Sequence, residues 1–162
     1  MSGKIVSLED RHAQELETFL CEFDAKPNEL HGYFCEREWP IDRAVHTLAA
    51  WGRGEELRGG RVPCSTWFWE DERALQGVIN VRHYLTAQLE EWGGHIGYSV
   101  APSHRNKGVA TRMLAEVLAH CRGLEIARAL LTCDAENTAS RKTIETNSGI
   151  FNREAWSEPA KG

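Results

Sequence analysis

The stretch that most constrains what this chain can fold into is His95 to Cys121, HIGYSVAPSHRNKGVATRMLAEVLAHC. It opens as a strand over Ile96–Val100. Pro102 closes that strand, because proline gives no ladder hydrogen bond and restricts the residue before it. Arg105-Asn106-Lys107-Gly108-Val109-Ala110 forms a short basic turn. Beyond it Val109, Met113, Leu114, Val117, Leu118 and Cys121 recur at the spacing of one helix face. A helix that begins on such a turn presents unpaired N–H groups and the positive end of its dipole, which suits an anion, most often a phosphate. Gly108 lets backbone approach a ligand closely, and Arg105 and Lys107 add full charges. The spacing fits neither the longer loop of nucleoside triphosphatases nor the three-glycine turn of dinucleotide folds. The plain alternative is a basic loop ahead of an ordinary helix.

Around this stretch the pattern alternates between helices and strands within one domain, residues 1–162. Lys4–Leu8 is expected as a first strand. A helix follows to about Phe23, capped by Ser7 or Asp10, with Leu16, Phe19, Leu20 and Phe23 on one face. Asp42 is expected to cap a second helix carrying Ala44, Val45, Leu48 and Ala49. Cys64–Glu70 alternates as a strand, with Cys64, Thr66 and Phe68 opposite Ser65, Trp67 and Trp69. A polar hairpin turn leads to Gly77–Tyr84, and a short helix over Leu85–Trp92 leads to Gly93-Gly94. After the central helix, stopped by Gly123, the apolar run Ile126–Cys133 predicts a strand buried on both faces. Asn137 or Thr138 then caps a helix to about Thr146, and Ile150–Glu154 reads as a last strand. The alternating aromatics Trp67, Trp69 and Tyr84 are candidates for an acceptor cleft, with core packing as the plainer reading.

Five cysteines, an odd and scattered set with no Cys-x-x-Cys pair, read as reduced thiols of a cytoplasmic protein, with no metal site expected. No signal peptide or membrane span is visible. A net charge of −5 argues against nucleic acid as a partner. Residues 1–60 carry 7 basic and 12 acidic side chains, whereas residues 103–142 carry 7 basic and 4 acidic. The basic part favours a polyanion and the acidic part a cationic amine, unless the acidic helices are simply solvated surface.

Val100-x-Pro102-x-x-Arg105-x-Lys107-Gly108-Val109-Ala110, followed by Met113-Leu114, resembles the acetyl-coenzyme A motif of the GNAT superfamily of N-acetyltransferases. The resemblance continues through a strand at Ala129–Cys133, Asn137 and Ser140 in the next helix, and Gly149-Ile150-Phe151. It implies an α/β (α+β) fold, a mixed and mostly antiparallel sheet flanked by helices. The family's final strand, which would follow WSEPAKG, is missing or truncated, and a homodimer is one way to cover that edge. It also implies acetyl-CoA as cosubstrate, with Ser99, Val100, Arg105, Asn106, Lys107, Gly108, Val109, Ala110, Asn137 and Ser140 as its contacts.

The implied reaction is direct attack of an amine on the thioester. It requires a base, an oxyanion donor and an acid for the thiolate. The resemblance places the oxyanion donor at a backbone N–H around Val100. Many members carry a Tyr seven residues after the Asn; Ile144 stands there here, leaving Tyr98, Ser140 or water as the acid. His95 is the first candidate base, His83 the second and Glu91 the third, each with a structural or surface role as its plainer reading. The acceptor is read as a small cationic molecule or a peptide amine. The alternatives are a non-catalytic acyl-CoA-binding domain and a fragment that completes its sheet with a partner strand.

Overall fold

The computed structural model describes residues 2–31 and 34–154. Its strands are β1 (Lys4–Val6), β2 (Cys64–Asp71), β3 (Ala74–Arg82) and β4 (Ile96–Val100). The helices are α1 (Ala13–Cys21), α2 (Ile41–Gly52), α3 (Ala87–Glu91), α4 (Val109–Gly123) and α5 (Thr138–Thr146). The four strands form one antiparallel sheet in chain order, β1-β2-β3-β4.

Alternation along the strands builds two separate cores, as the sequence pattern predicts. Phe68, Leu75 and Val78 face α1 and α2, where Leu16, Phe19, Phe34, Leu48 and Trp51 pack over them. The Phe68 ring takes Phe19 and Phe34 edge-on at centroid distances of 6.0 and 5.7 Å. Trp69, Ile79, Val81 and Ile96 face the other way, onto Val109, Met113, Leu114, Val117 and Cys121 of α4. The sheet is therefore the middle of three layers, and its apolar rows are buried on both sides.

Turns and caps depart from expectation in several places. The first helix is capped neither by Ser7 nor by Asp10; Glu9 and His12 cap it reciprocally around a 3-10 turn. Pro40 precedes α2 at its N-cap, so Asp42 lies inside the first turn, where its charge complements the helix dipole. Gly123 is the last residue of α4 rather than its stop, and the left-handed residue that turns the chain is Glu125, at φ 60°.

Two expected strands are not formed. Ile126–Cys133 holds a single isolated bridge, Gly94 to Leu131, in antiparallel sense. Only Ile126 of that run is buried, and Thr132 and Cys133 are exposed. Ile150–Glu154 has no regular structure, with Ile150 and Phe151 largely exposed. The physical reason is shared: apolar content without a ladder partner does not make a strand. The polar stretch WSEPAKG, where a closing strand was expected to be missing or truncated, lies outside the described residues.

The bridge nonetheless fixes the start of β4. Gly93 N–H donates to Thr132 Oγ1 (3.1 Å) and His95 N–H to Leu130 O (2.7 Å). Gly94 sits in the left-handed region at φ 60°, and a Cβ there would lie 2.4 Å from Leu130 O. Gly94→Ala therefore combines backbone strain with a backbone clash. It should cost about 2 kcal/mol or more and lower the melting temperature by roughly 4 °C or more, read by thermal unfolding.

Candidate active site

The site follows from which backbone groups β4 has left over. Ala101 N–H donates to Gln76 O at 2.9 Å, and Arg82 N–H donates to His95 O at 2.7 Å. In an antiparallel ladder these commitments alternate, so Gly97 and Ser99 also turn their N–H and C=O groups to β3. Ile96, Tyr98 and Val100 turn theirs to the opposite edge. Val100 O behaves accordingly, accepting from Arg105 Nε at 3.1 Å on that side. The Tyr98 and Val100 N–H groups point to the same open edge.

The basic turn Arg105–Ala110 lies directly beyond. Asn106 and Gly108 are left-handed, at φ 59° and 74°, and Gly108 is the N-cap of α4. The first bond of the helix runs from Arg112 N–H to Gly108 O (3.1 Å). The N–H groups before it are thus left without intrahelical partners, as helix geometry requires. No atom lies within 4 Å of where a Gly108 Cβ would sit, so the turn has open space in front of it. Alternating left-handed residues of this kind gather N–H groups into an anion-binding concavity.

On the other side of the open edge, Tyr98 reaches α5. Its hydroxyl lies 2.6 Å from Ser140 Oγ. Asn137 caps α5, its Oδ1 accepting from Ser140 N–H at 3.1 Å. Burial raises the Tyr98 pKa, so its hydroxyl keeps its proton at neutral pH.

Against this geometry stand three comparisons. A family model described as an acetyltransferase (GNAT) domain matches residues 7–148. The chain belongs to the GNAT acetyltransferases. Among solved structures it is similar to RimL, a ribosomal L7/L12 α-N-protein acetyltransferase in complex with coenzyme A, at 14% identity and a TM-score of 0.61, covering 91% of this chain and 79% of that one. It is also similar to glucosamine-6-phosphate N-acetyltransferase from Arabidopsis thaliana, at 17% identity and a TM-score of 0.62, covering 99% and 100%. A ribosomal-protein-alanine N-acetyltransferase from Brucella melitensis biovar Abortus follows, at 15% identity and a TM-score of 0.58, covering 98% and 99%. No curated protein matches the sequence. At these identities the likeness carries the fold.

Within the GNAT fold the sequence-named residues separate into groups. Val100, Asn106, Lys107, Gly108, Val109 and Ala110 gather at the strand end and turn, and Tyr98, Asn137 and Ser140 meet across the open edge. Arg105 is partly spoken for: besides Val100 O, its Nη1 donates to Glu29 Oε2 at 2.7 Å. That contact holds the Glu29 carboxyl below its usual range. Lys107 donates to Ser103 O at 2.9 Å from an exposed position. Ser99 faces inward. Its Oγ accepts from His31 N–H (2.7 Å) and donates to Glu29 O (3.2 Å), pinning the loop before residue 32 onto the sheet.

The expected bases fare differently. His95 Nδ1 accepts the Leu130 N–H at 3.0 Å. A backbone N–H can only donate, so the neutral ring carries its proton on Nε2 and has no free lone pair to take another. This corrects its reading as the general base: the ring is a structural acceptor where β4 begins. His83 bonds Ser65 Oγ at 2.8 Å, four residues along β3 from the partner of Tyr98, or about 13 Å away. Glu91 is paired with Arg153 at 3.0 Å on the surface. The aromatics do not line a cleft either. Trp69 is buried, Trp67 lies against the His120 ring at 5.1 Å, and Tyr84 is 56% exposed.

Two positions stand out from the sequence reading: Asn80 is buried mid-strand with its Oδ1 unpaired, and Gly97 lies opposite it. The available signal was an Asn inside the otherwise apolar run Gly77–Val81. A cavity of about 240 Å³ lies elsewhere, between α1, α2 and residues 35–39. Among the described residues no cluster of His, Cys, Asp or Glu is placed to hold a metal, and no helix is long and apolar enough to cross a membrane.

Burial lowers the pKa of both His83 and His95, and Arg82 adds to the effect at His95. The folded state therefore binds fewer of these protons than the unfolded chain. The associated stability is full above about pH 6.5 and is lost as the pH falls below that value through the lowered pKa of the folded state. His95→Asn keeps an acceptor for Leu130 N–H but cannot titrate. Thermal melts at pH 5 and 7.5 should show a smaller acid-induced drop for this variant than for the parent. An equal drop would remove His95 from the effect.

Proposed function

We propose that this GNAT domain transfers an acetyl group from acetyl-CoA to a primary amine of a small cationic molecule or peptide by direct attack, in the cytoplasm. The observation that carries this reading is the open edge of β4 running into the left-handed turn at the α4 N-terminus. An extended amide-bearing arm pairs with Tyr98–Val100, and a pyrophosphate fits the open space before Gly108. Acetyl-CoA supplies the acetyl thioester. Around it, a backbone N–H near Val100 that the arm leaves unpaired serves as donor to the developing oxyanion. The Tyr98 hydroxyl, protonated and coupled to Ser140, offers its proton to the departing sulfur. With His95 committed to Leu130, the amine binds as the free base, and its excess proton leaves to solvent.

The alternative, a non-catalytic acyl-CoA-binding domain, is favoured by one observation: neither candidate histidine is placed as a base. Two variants separate the readings. Gly108→Val fills the open space and should weaken acetyl-CoA binding by at least about tenfold in calorimetry. Tyr98→Phe should leave that binding nearly intact and lower thiol release with amines by about 10²-fold or more. Parent protein that binds acetyl-CoA but acetylates no amine would support the non-catalytic reading.

A further inference from the structure

An amine that adds to a thioester carries one proton too many, and that proton has to leave the nitrogen. The chain has seven histidines, and the fold commits most of them elsewhere. His12 is buried, its Nδ1 accepting Glu9 N–H at 2.9 Å. His46 pairs with Glu56 on the surface of α2 at 2.9 Å, and the His120 ring lies against Trp67. His83 and His95 are held by Ser65 and by Leu130 N–H. His104 stands beyond Pro102, in the 3-10 turn that leads into the basic turn. The seventh is His31.

His31 lies on a loop fixed against the end of β4. Its N–H donates to Ser99 Oγ at 2.7 Å, Ser99 Oγ donates to Glu29 O at 3.2 Å, and Arg105 Nη1 donates to Glu29 Oε2 at 2.7 Å. Arg105 in turn reaches Val100 O through Nε at 3.1 Å. His31 is thus anchored to the residue next to Val100, whose N–H lies on the open edge. Only the main chain of His31 is used for this. Its side chain is exposed and has no hydrogen-bond partner among the described residues. The charges beside it are paired with one another, Glu29 with Arg105 at 2.7 Å and with Lys26 at 3.3 Å. Ser99 stands opposite Val78, which packs in the α1/α2 core, whereas Tyr98 stands opposite Ile79 and packs with α4. The loop therefore meets β4 on the face opposite the Tyr98 hydroxyl.

We infer that His31 is the general base of the transfer: its imidazole takes the excess proton from the attacking nitrogen, directly or through one water, and passes it to solvent. The inference rests on the transfer reading and adds a residue to it. The N–C bond forms as the C–S bond breaks, one amine proton goes to the His31 ring, and the sulfur takes the Tyr98 proton. The two proton transfers then use opposite faces of β4, so neither obstructs the other.

The test uses the full chain with acetyl-CoA and two amines, putrescine and an alanyl peptide amide, followed by thiol release. His31→Ala removes only an exposed ring and leaves the N–H bond to Ser99, so folding is retained. It should lower kcat by about 10²-fold or more, with acetyl-CoA affinity unchanged in calorimetry. Added imidazole should raise the kcat of this variant by about tenfold or more, more basic imidazoles should raise it further, and the parent should not respond. His31→Gln, which keeps a polar side chain but no base, should be as slow as His31→Ala, while His104→Gln should stay near the parent. Parent turnover with kcat unmoved in both His31 variants would overturn the inference and leave the transfer reading standing. So would a slow His31→Ala that no imidazole restores, which is the pattern of a merely structural role. A parent that binds acetyl-CoA and acetylates neither amine would sink the transfer reading and this inference with it.

Discussion

The β3–β4 ladder is the interaction on which the rest of the site depends. Its register pairs Gly77 with Val100 and Val81 with Ile96, and the bonds at Gln76–Ala101 and Arg82–His95 set its phase. That phase commits Gly97 and Ser99 to β3 and leaves Tyr98 and Val100 facing outward. A shift of one residue would reverse both the hydrogen-bonding edge and the side-chain faces. Tyr98 would leave Ser140, Ser99 would leave the 29–31 loop, and Gly97 would no longer stand opposite Asn80. The burial of Ile79, Val81 and Ile96 under α4, and of Val78 under α1, opposes such a slip.

The N-terminal third is tied to this strand by polar contacts as well as by packing. Glu22 accepts from Ser103 N–H (2.9 Å) and Oγ (2.8 Å), while Glu29 pairs with Arg105 at 2.7 Å. These contacts anchor the N-terminal third on both sides of Pro102, where β4 gives way to the basic turn. The exposed ion pairs add little stability individually. Their effect is positional: they fix the Glu22 and Glu29 segments against the end of β4, and they hold Arg105 there.

Much of this was legible before folding because it is local. Helix α4 and strand β4 match their predicted cores, since Pro102, the Gly108 turn and the apolar spacing act over a few residues. Asn137 caps α5 as its sequence position suggests. The two faces of Cys64–Asp71 follow from alternation alone. Ile126–Cys133 shows where local reading stops: an apolar run states a wish for burial, and only a neighbouring strand turns it into a ladder. His95 shows the same limit in chemistry. Its residue type suits proton transfer, but the Leu130 N–H that fills its lone pair lies 35 residues away in the chain.

By itself, then, the sequence determined the order of the helices and of the four sheet strands, the basic glycine turn ahead of α4 and the family to which they belong. These depend on backbone propensity and on motifs contiguous in the chain. Tertiary structure decided which edge of β4 is open, that Tyr98 meets Ser140, that His95 is a structural acceptor and that Asn80 faces a glycine. Each of those is a pairing between distant segments. Such pairings are set by ladder phase and packing of two cores on one sheet, which no window along the chain contains.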